Sequence, residues 1–165
     1  MVKDPQPGQP RWISIFILVG SIYFMSALFI AAVFEPDIRL LHAFQALIYV
    51  AVIVLTRRNS AWGFGIGCLN GVFWNYIFIV GAADKLWLLL KGQLFRPDLV
   101  LQAIATVANF MIIIACLTAF IRLKPDAKRW SAFVTGGMLA IGYLILIIVM
   151  MRPQYIPLLR HVFGL

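Results

Sequence analysis

Residues Asn59–Ala83 read NSAWGFGIGCLNGVFWNYIFIVGAA, a stretch with no Lys, Arg, Asp or Glu. A helix rises about 1.5 Å per residue, so about 20 apolar residues cross the hydrocarbon core of a bilayer. Lipid offers no partner to an unpaired peptide group, and a run of this length is therefore predicted to be a transmembrane helix. Four other runs share the pattern, Trp12–Phe34, Leu40–Thr56, Leu99–Ile121 and Trp130–Met151. Every one of the fourteen basic and six acidic residues falls between or outside the five runs. The predicted fold is all-α, a polytopic membrane protein built as a bundle of five transmembrane helices over residues 12–151.

Composition agrees. The chain has 165 residues, of which 63% are hydrophobic, and a mean hydropathy of +0.96. An ordinary soluble fold is excluded. The net charge of +8 is spread over every connector rather than along one face. That distribution points to loops that orient spans and meet anionic head groups, and nucleic acid is not an expected partner. Cys68 and Cys116 both lie inside spans, so neither a disulfide framework nor a zinc site is indicated and no metal is expected. The first run follows Lys3 and Arg11 but is too long for a signal-peptide core and has no clean A-x-A ending, so it reads as a retained helix.

Positive charge sets the expected orientation. With the N-terminus inside, Lys3, Arg11, Arg57, Arg58, Arg122, Lys124, Lys128 and Arg129 fall on the cytoplasmic side. Arg39, Lys85, Lys91, Arg96, Arg152 and Arg160 fall opposite. The two densest clusters are then cytoplasmic, which predicts a cytoplasmic N-terminus and a C-terminus on the other side. Residues 1–11 contain Pro5, Pro7 and Pro10 and are expected to form an extended cytoplasmic tail. Pro36 is expected to stop the first helix. Lys85–Phe95 and 153–165 are too short to span yet rich in apolar residues, and are expected to lie in the membrane interface.

Within the runs, small residues mark packing faces. Gly63, Gly67 and Gly71 recur every four residues and so share one helix face, nearly bare backbone, which a second helix can approach closely. Gly65 lies on another face and is expected to tolerate substitution better. Ala105, Ala108, Ala115 and Ala119 make a second small-residue seam on the fourth span. These rows are expected to pack helices within the subunit or between copies of it.

Polar residues also keep helical spacing. His42, Gln45, Tyr49 and Thr56 share a face of the second span. Asn70, Trp74 and Asn75 lie on the third, and Gln102, Thr106 and Asn109 on the fourth. Amides in lipid need partners, so these faces must meet protein or water. They serve either as interhelical glue or as a site of amides, one imidazole and aromatics for a small polar ligand. No cofactor is predicted. A haem or quinone, were one bound, would sit near His42, but a histidine at a helix end commonly just bonds a carbonyl, and haem would need His161 as second ligand.

No span carries a carboxylate, and no paired carboxylates, HExxH, GxSxG or Walker loop occurs, so an enzyme is not expected. Two functions remain. The first is a non-catalytic packing or accessory subunit of a homo- or hetero-oligomeric membrane complex, with lipid, copies of itself or other membrane subunits as partners. The second is a small carrier or channel-forming protein for a polar, neutral or weakly charged solute. Five spans are few for a complete carrier and do not divide into inverted halves, which favours the first.

Overall fold

The computed structural model describes residues 10–34, 36–92 and 97–164. Helix α1 spans Arg11–Phe34, α2 Arg39–Arg57, α3 Ala61–Leu90, α4 Pro97–Arg122, α5 Arg129–Met151 and α6 Ile156–Phe163. Single turns of 3-10 helix at Pro36–Ile38 and Pro153–Tyr155 precede α2 and α6. No strand occurs among the described residues. Five helices are long and apolar enough to cross a membrane. Each exposes large apolar side chains, such as Ile22, Leu47, Val72, Val107 and Leu146, where a soluble helix would carry charge. These are the marks of an integral membrane protein.

The connectors show how the chain reverses. After α2, Asn59 adopts the left-handed conformation (φ 53°), while Asn59 N–H donates to the Thr56 carbonyl and Ser60 N–H to the Leu55 carbonyl. This is a Schellman closure with asparagine in the place glycine usually takes. Between α4 and α5, Pro125 lacks the N–H a helix needs, and Arg129 Nη1 donates to the Leu123 carbonyl at 2.7 Å. Between α1 and α2, Arg39 Nε donates to the Ala32 carbonyl at 3.1 Å and His42 Nδ1 bonds the Leu28 carbonyl at 2.7 Å.

Helices α1, α2, α3 and α4 close a ring in which each packs on the next. Helix α5 lies outside it against α3, with a lighter contact to α2. Helix α3 is thus central. In its apolar window 56% of residues are buried, against 39% in each of the other four spans. A helix packed on two sides needs small residues on two sides, and α3 has them. Carbons added at Gly63 and Gly67 would meet Leu55 and Thr56 of α2 and Cys116 and Ile112 of α4 at 2.6–3.1 Å. One at Gly71 would meet Ile113 of α4 at 2.9 Å. The opposite face carries Gly65, two residues and about 200° from Gly67. A carbon there would collide with the backbone carbonyl of Phe133 on α5. The expectation that Gly65 is the more tolerant position is therefore reversed, because backbone cannot move aside as a side chain can. Gly136 meets Trp62 backbone and Gly137 meets Leu69, so α5 answers with glycines of its own.

The glycine row is buried inside the chain. In the alanine seam, Ala108, Ala115 and Ala119 are buried, and the Ala108 carbonyl stands 2.8 Å from where a Gly20 side chain would begin.

One segment differs from expectation. Lys85–Leu90 continues α3 rather than forming a separate interfacial helix, and the helix ends at Lys91 with Gly92 (φ 68°) closing it. No Gly or Pro falls between Gly81 and Gly92, so nothing in that stretch interrupts the ladder. Residues 93–95 of that segment lie outside the described residues, as do residues 1–9 of the tail. In the C-terminal segment α6 packs on α3 and buries Leu159, while Arg160 and His161 stay exposed.

Candidate functional site

The polar faces of α2, α3 and α4 turn inward and meet inside the ring. Tyr49, 1% exposed, is the hub. Its hydroxyl donates to Asn109 Oδ1 at 2.9 Å and accepts from Asn70 Nδ2 at 3.3 Å. Asn109 Nδ2 donates to Asn75 Oδ1 at 3.1 Å, and Asn75 Nδ2 donates to the Thr106 carbonyl at 3.3 Å. One continuous chain of hydrogen bonds therefore ties three helices together. The ring of Phe24, from α1, stacks on Tyr49 with centroids 4.2 Å apart and lies 6.2 Å from Trp74.

On one side of this layer the helices close up on glycines, as at Gly63 and Gly67. On the other the bundle opens into a cavity of about 420 Å³, within the usual size of small-molecule sites. Its walls come from the second half of α1, the first half of α2, the second half of α3 and the first half of α4. Ile148 of α5 and Leu159 of α6 complete it. Most of the wall is apolar, including Leu28, Phe34, Leu41, Ile77, Phe78 and Leu99. The polar lining is His42, Gln45, Trp74, Asn75, Gln102, Thr106 and Asn109, with Lys85 as the one charged residue among the described lining. Seven of the ten polar residues in the rows read from sequence thus share one cavity. Asn70 and Tyr49 sit below the floor, bonded to each other, and Thr56 lies near the far end of α2.

Four buried side-chain atoms have no hydrogen-bond partner among the described residues: Ser21 Oγ, Asn70 Oδ1, Gln45 Oε1 and Trp74 Nε1. The last two belong to residues that line the cavity. Gln45 is 1% exposed. An acceptor and a donor left unpaired in a closed bundle would each cost about 1–3 kcal/mol; both belong to residues of the cavity wall, where a rotation of the side chain turns the unpaired atom to water or a ligand. The other polar residues are already engaged. His42 bonds the Leu28 carbonyl, and Thr106 Oγ1 donates to the Gln102 carbonyl at 2.9 Å. No cluster of three His, Cys, Asp or Glu suited to a metal occurs among the described residues.

A smaller recess of about 150 Å³ lies at the other end, bounded by Ile13, Ser14, Thr56, Arg57 and Phe64 among others. The two spaces share no lining residue among the described residues. Along α1, α2 and α3 the residues between them include Gly20, Tyr49, Val52, Gly67 and Asn70, all buried.

Phe24, Lys85 and Leu159 are site residues that the sequence reading did not assign to the site. Tyr49 stood in the same row as His42 and Gln45, which was a usable signal. Phe24, Lys85 and Leu159 join only through packing across the ring. No protein-family model, curated protein or solved structure matches the chain, so its residues alone carry the functional argument.

Proposed function

We propose that the chain is a membrane protein that binds a small solute in the cavity and serves as its carrier. The observation that supports this most is the pair of buried, unpaired atoms, Gln45 Oε1 and Trp74 Nε1, at the wall of a space large enough for a ligand. Polar residues kept only as glue would bond one another and leave no room. The blind shape fits a carrier better than a pore: the Tyr49 layer closes the floor, and a separate recess lies beyond it. In this reading the cavity faces the side opposite the cytoplasm, as the basic clusters Arg57–Arg58 and Arg122–Arg129 sit at the other end.

The packing or accessory subunit remains the second reading. Its support is the direct Asn75–Asn109 and Tyr49–Asn109 bonding, which is what interhelical glue would look like. Ala105 lines the cavity outside the hydrogen-bond chain, so Ala105→Trp fills the space without touching the network. The protein is extracted gently from its native membrane and its mass measured intact. A carrier retains a small molecule that Ala105→Trp lacks at similar thermal stability. A wild type with no small molecule, but stably joined to other subunits, would replace the carrier reading with the accessory one.

A further inference from the structure

Lys85 lies beyond the apolar window Ala61–Gly81 of α3 and lines the cavity. Its side chain is exposed, and it is the lining residue of α3 farthest along the helix from Trp74. No Asp or Glu stands among the described lining residues. At the deep end are Gln45 Oε1 and Trp74 Nε1, both unpaired. Trp74 and Lys85 belong to one unbroken helix, eleven residues apart, and a rise of 1.5 Å per residue separates them by about 16 Å. Leu41, Ile77, Phe78 and Leu99 make the wall apolar. The space therefore has an exposed lysine at its outer end, an apolar middle and, at its base, two wall residues that each keep an unpaired polar atom.

From this arrangement we propose that the cavity takes an elongated amphiphilic anion. A carboxylate or phosphate sits at Lys85 and an apolar body fills the middle. A hydroxyl or amide at the buried end donates to Gln45 Oε1 and accepts from Trp74 Nε1. The assignment rests on the reading of the cavity as a ligand site. A cation is disfavoured, since the described lining offers no carboxylate to offset its lost hydration. An exposed lysine alone attracts only modestly, so the buried hydrogen bonds select among anions. Such a molecule could come from the membrane or from the aqueous phase, and its chemistry at the site is the same.

The test uses the full chain in nanodiscs of phosphatidylcholine. The probes are ω-hydroxydodecanoate, dodecanoate, dodecanol and dodecyltrimethylammonium. The readout is the indole N–H resonance of Trp74, identified by its loss in Trp74→Phe. We expect ω-hydroxydodecanoate to shift this resonance and to bind about tenfold tighter than the ammonium probe, a difference near 1.4 kcal/mol. Lys85→Gln, at an exposed position, should weaken both acids about fivefold, the upper range for an exposed charge pair, and leave dodecanol unchanged. Gln45→Leu should erase the preference for the hydroxy acid over dodecanoate. Equal binding of the ammonium probe, or acids indifferent to Lys85→Gln, overturns the anion assignment while the ligand-site reading stands. If no probe shifts Trp74 and the intact mass shows no small molecule, the ligand-site reading itself fails. With the probes bound as expected, a retained acidic lipid identifies the membrane as the source, and a retained soluble acid identifies the aqueous phase.

Discussion

The half of the bundle that holds the α2–α3 and α4–α5 turns is packed backbone against backbone, whereas the opposite half splays around a cavity of about 420 Å³. The difference follows the glycines. Gly63, Gly65, Gly67, Gly136 and Gly137 all lie in the first half and all press on a neighbouring helix. In the second half Gly142 has nothing within 4 Å, and Gly81 lines the cavity. Where side chains vanish, helices close up and gain dispersion contacts that lipid cannot replace. Where Phe24, Trp74, Phe78 and the amides stand instead, the helices are held apart, and the separation becomes usable volume. The Tyr49 layer is the boundary, and its hydrogen bonds fix the helices at the level where spacing changes.

The contrast can be broken most severely at Gly65. Gly65→Leu should destabilise by about 3 kcal/mol, the upper end of overpacking, because it strikes the Phe133 backbone. Gly142→Leu, in open space, should leave the melting temperature in detergent unchanged. Equal effects would mean that the two halves are not packed differently.

At the boundary, Asn109→Leu removes partners from both Tyr49 and Asn75. The expected loss is about 2 kcal/mol, since buried groups are left unpaired. Tyr49→Phe keeps the ring stacked on Phe24 and should cost about 1 kcal/mol, as hydrogen bonds between membrane helices are individually modest. Thermal denaturation of the two variants in the same detergent orders them. A Tyr49→Phe loss exceeding that of Asn109→Leu would move the hub of the network elsewhere.

In the open half, Gln102→Leu should change stability by less than about 0.5 kcal/mol, because its side chain is exposed and only its backbone carbonyl is used by Thr106. A loss like that of Asn109→Leu would show that the cavity rim is closed and load-carrying.

The smallest effect on stability belongs to orientation. Cysteines at Asp126 and at Lys91, both exposed, in a background lacking Cys68 and Cys116, should react with impermeant reagent from opposite sides of sealed vesicles. Asp126 is expected on the cytoplasmic side. Labelling of both from one side would contradict the five-span arrangement.

Five spans, an all-α bundle and inward polar faces were legible in the sequence because each is a local property. A charge-free run must cross or be buried, and a buried amide must find a partner, whatever its neighbours are. The i, i+4 rule also grouped Gly63, Gly67 and Gly71 correctly on one face. It could not say which helix that face would meet, nor that α5 would press harder on Gly65. Close approach depends on the rotation and crossing of two helices at once, and those are set by every side chain at both contacts. The same holds for the site. Spacing placed the amides on inward faces, but only the ring of α1 to α4 decided that Asn70 pairs with Tyr49 below the floor. The ring likewise set Gln45 and Trp74 on the cavity wall above it. Composition suggested that Lys85–Leu90 would lie in the interface, yet the helix ran on, since an unbroken hydrogen-bond ladder is cheaper to extend than to stop and no Gly or Pro intervenes. That continuation carries Lys85 to the outer end of the cavity, a position no local pattern encodes.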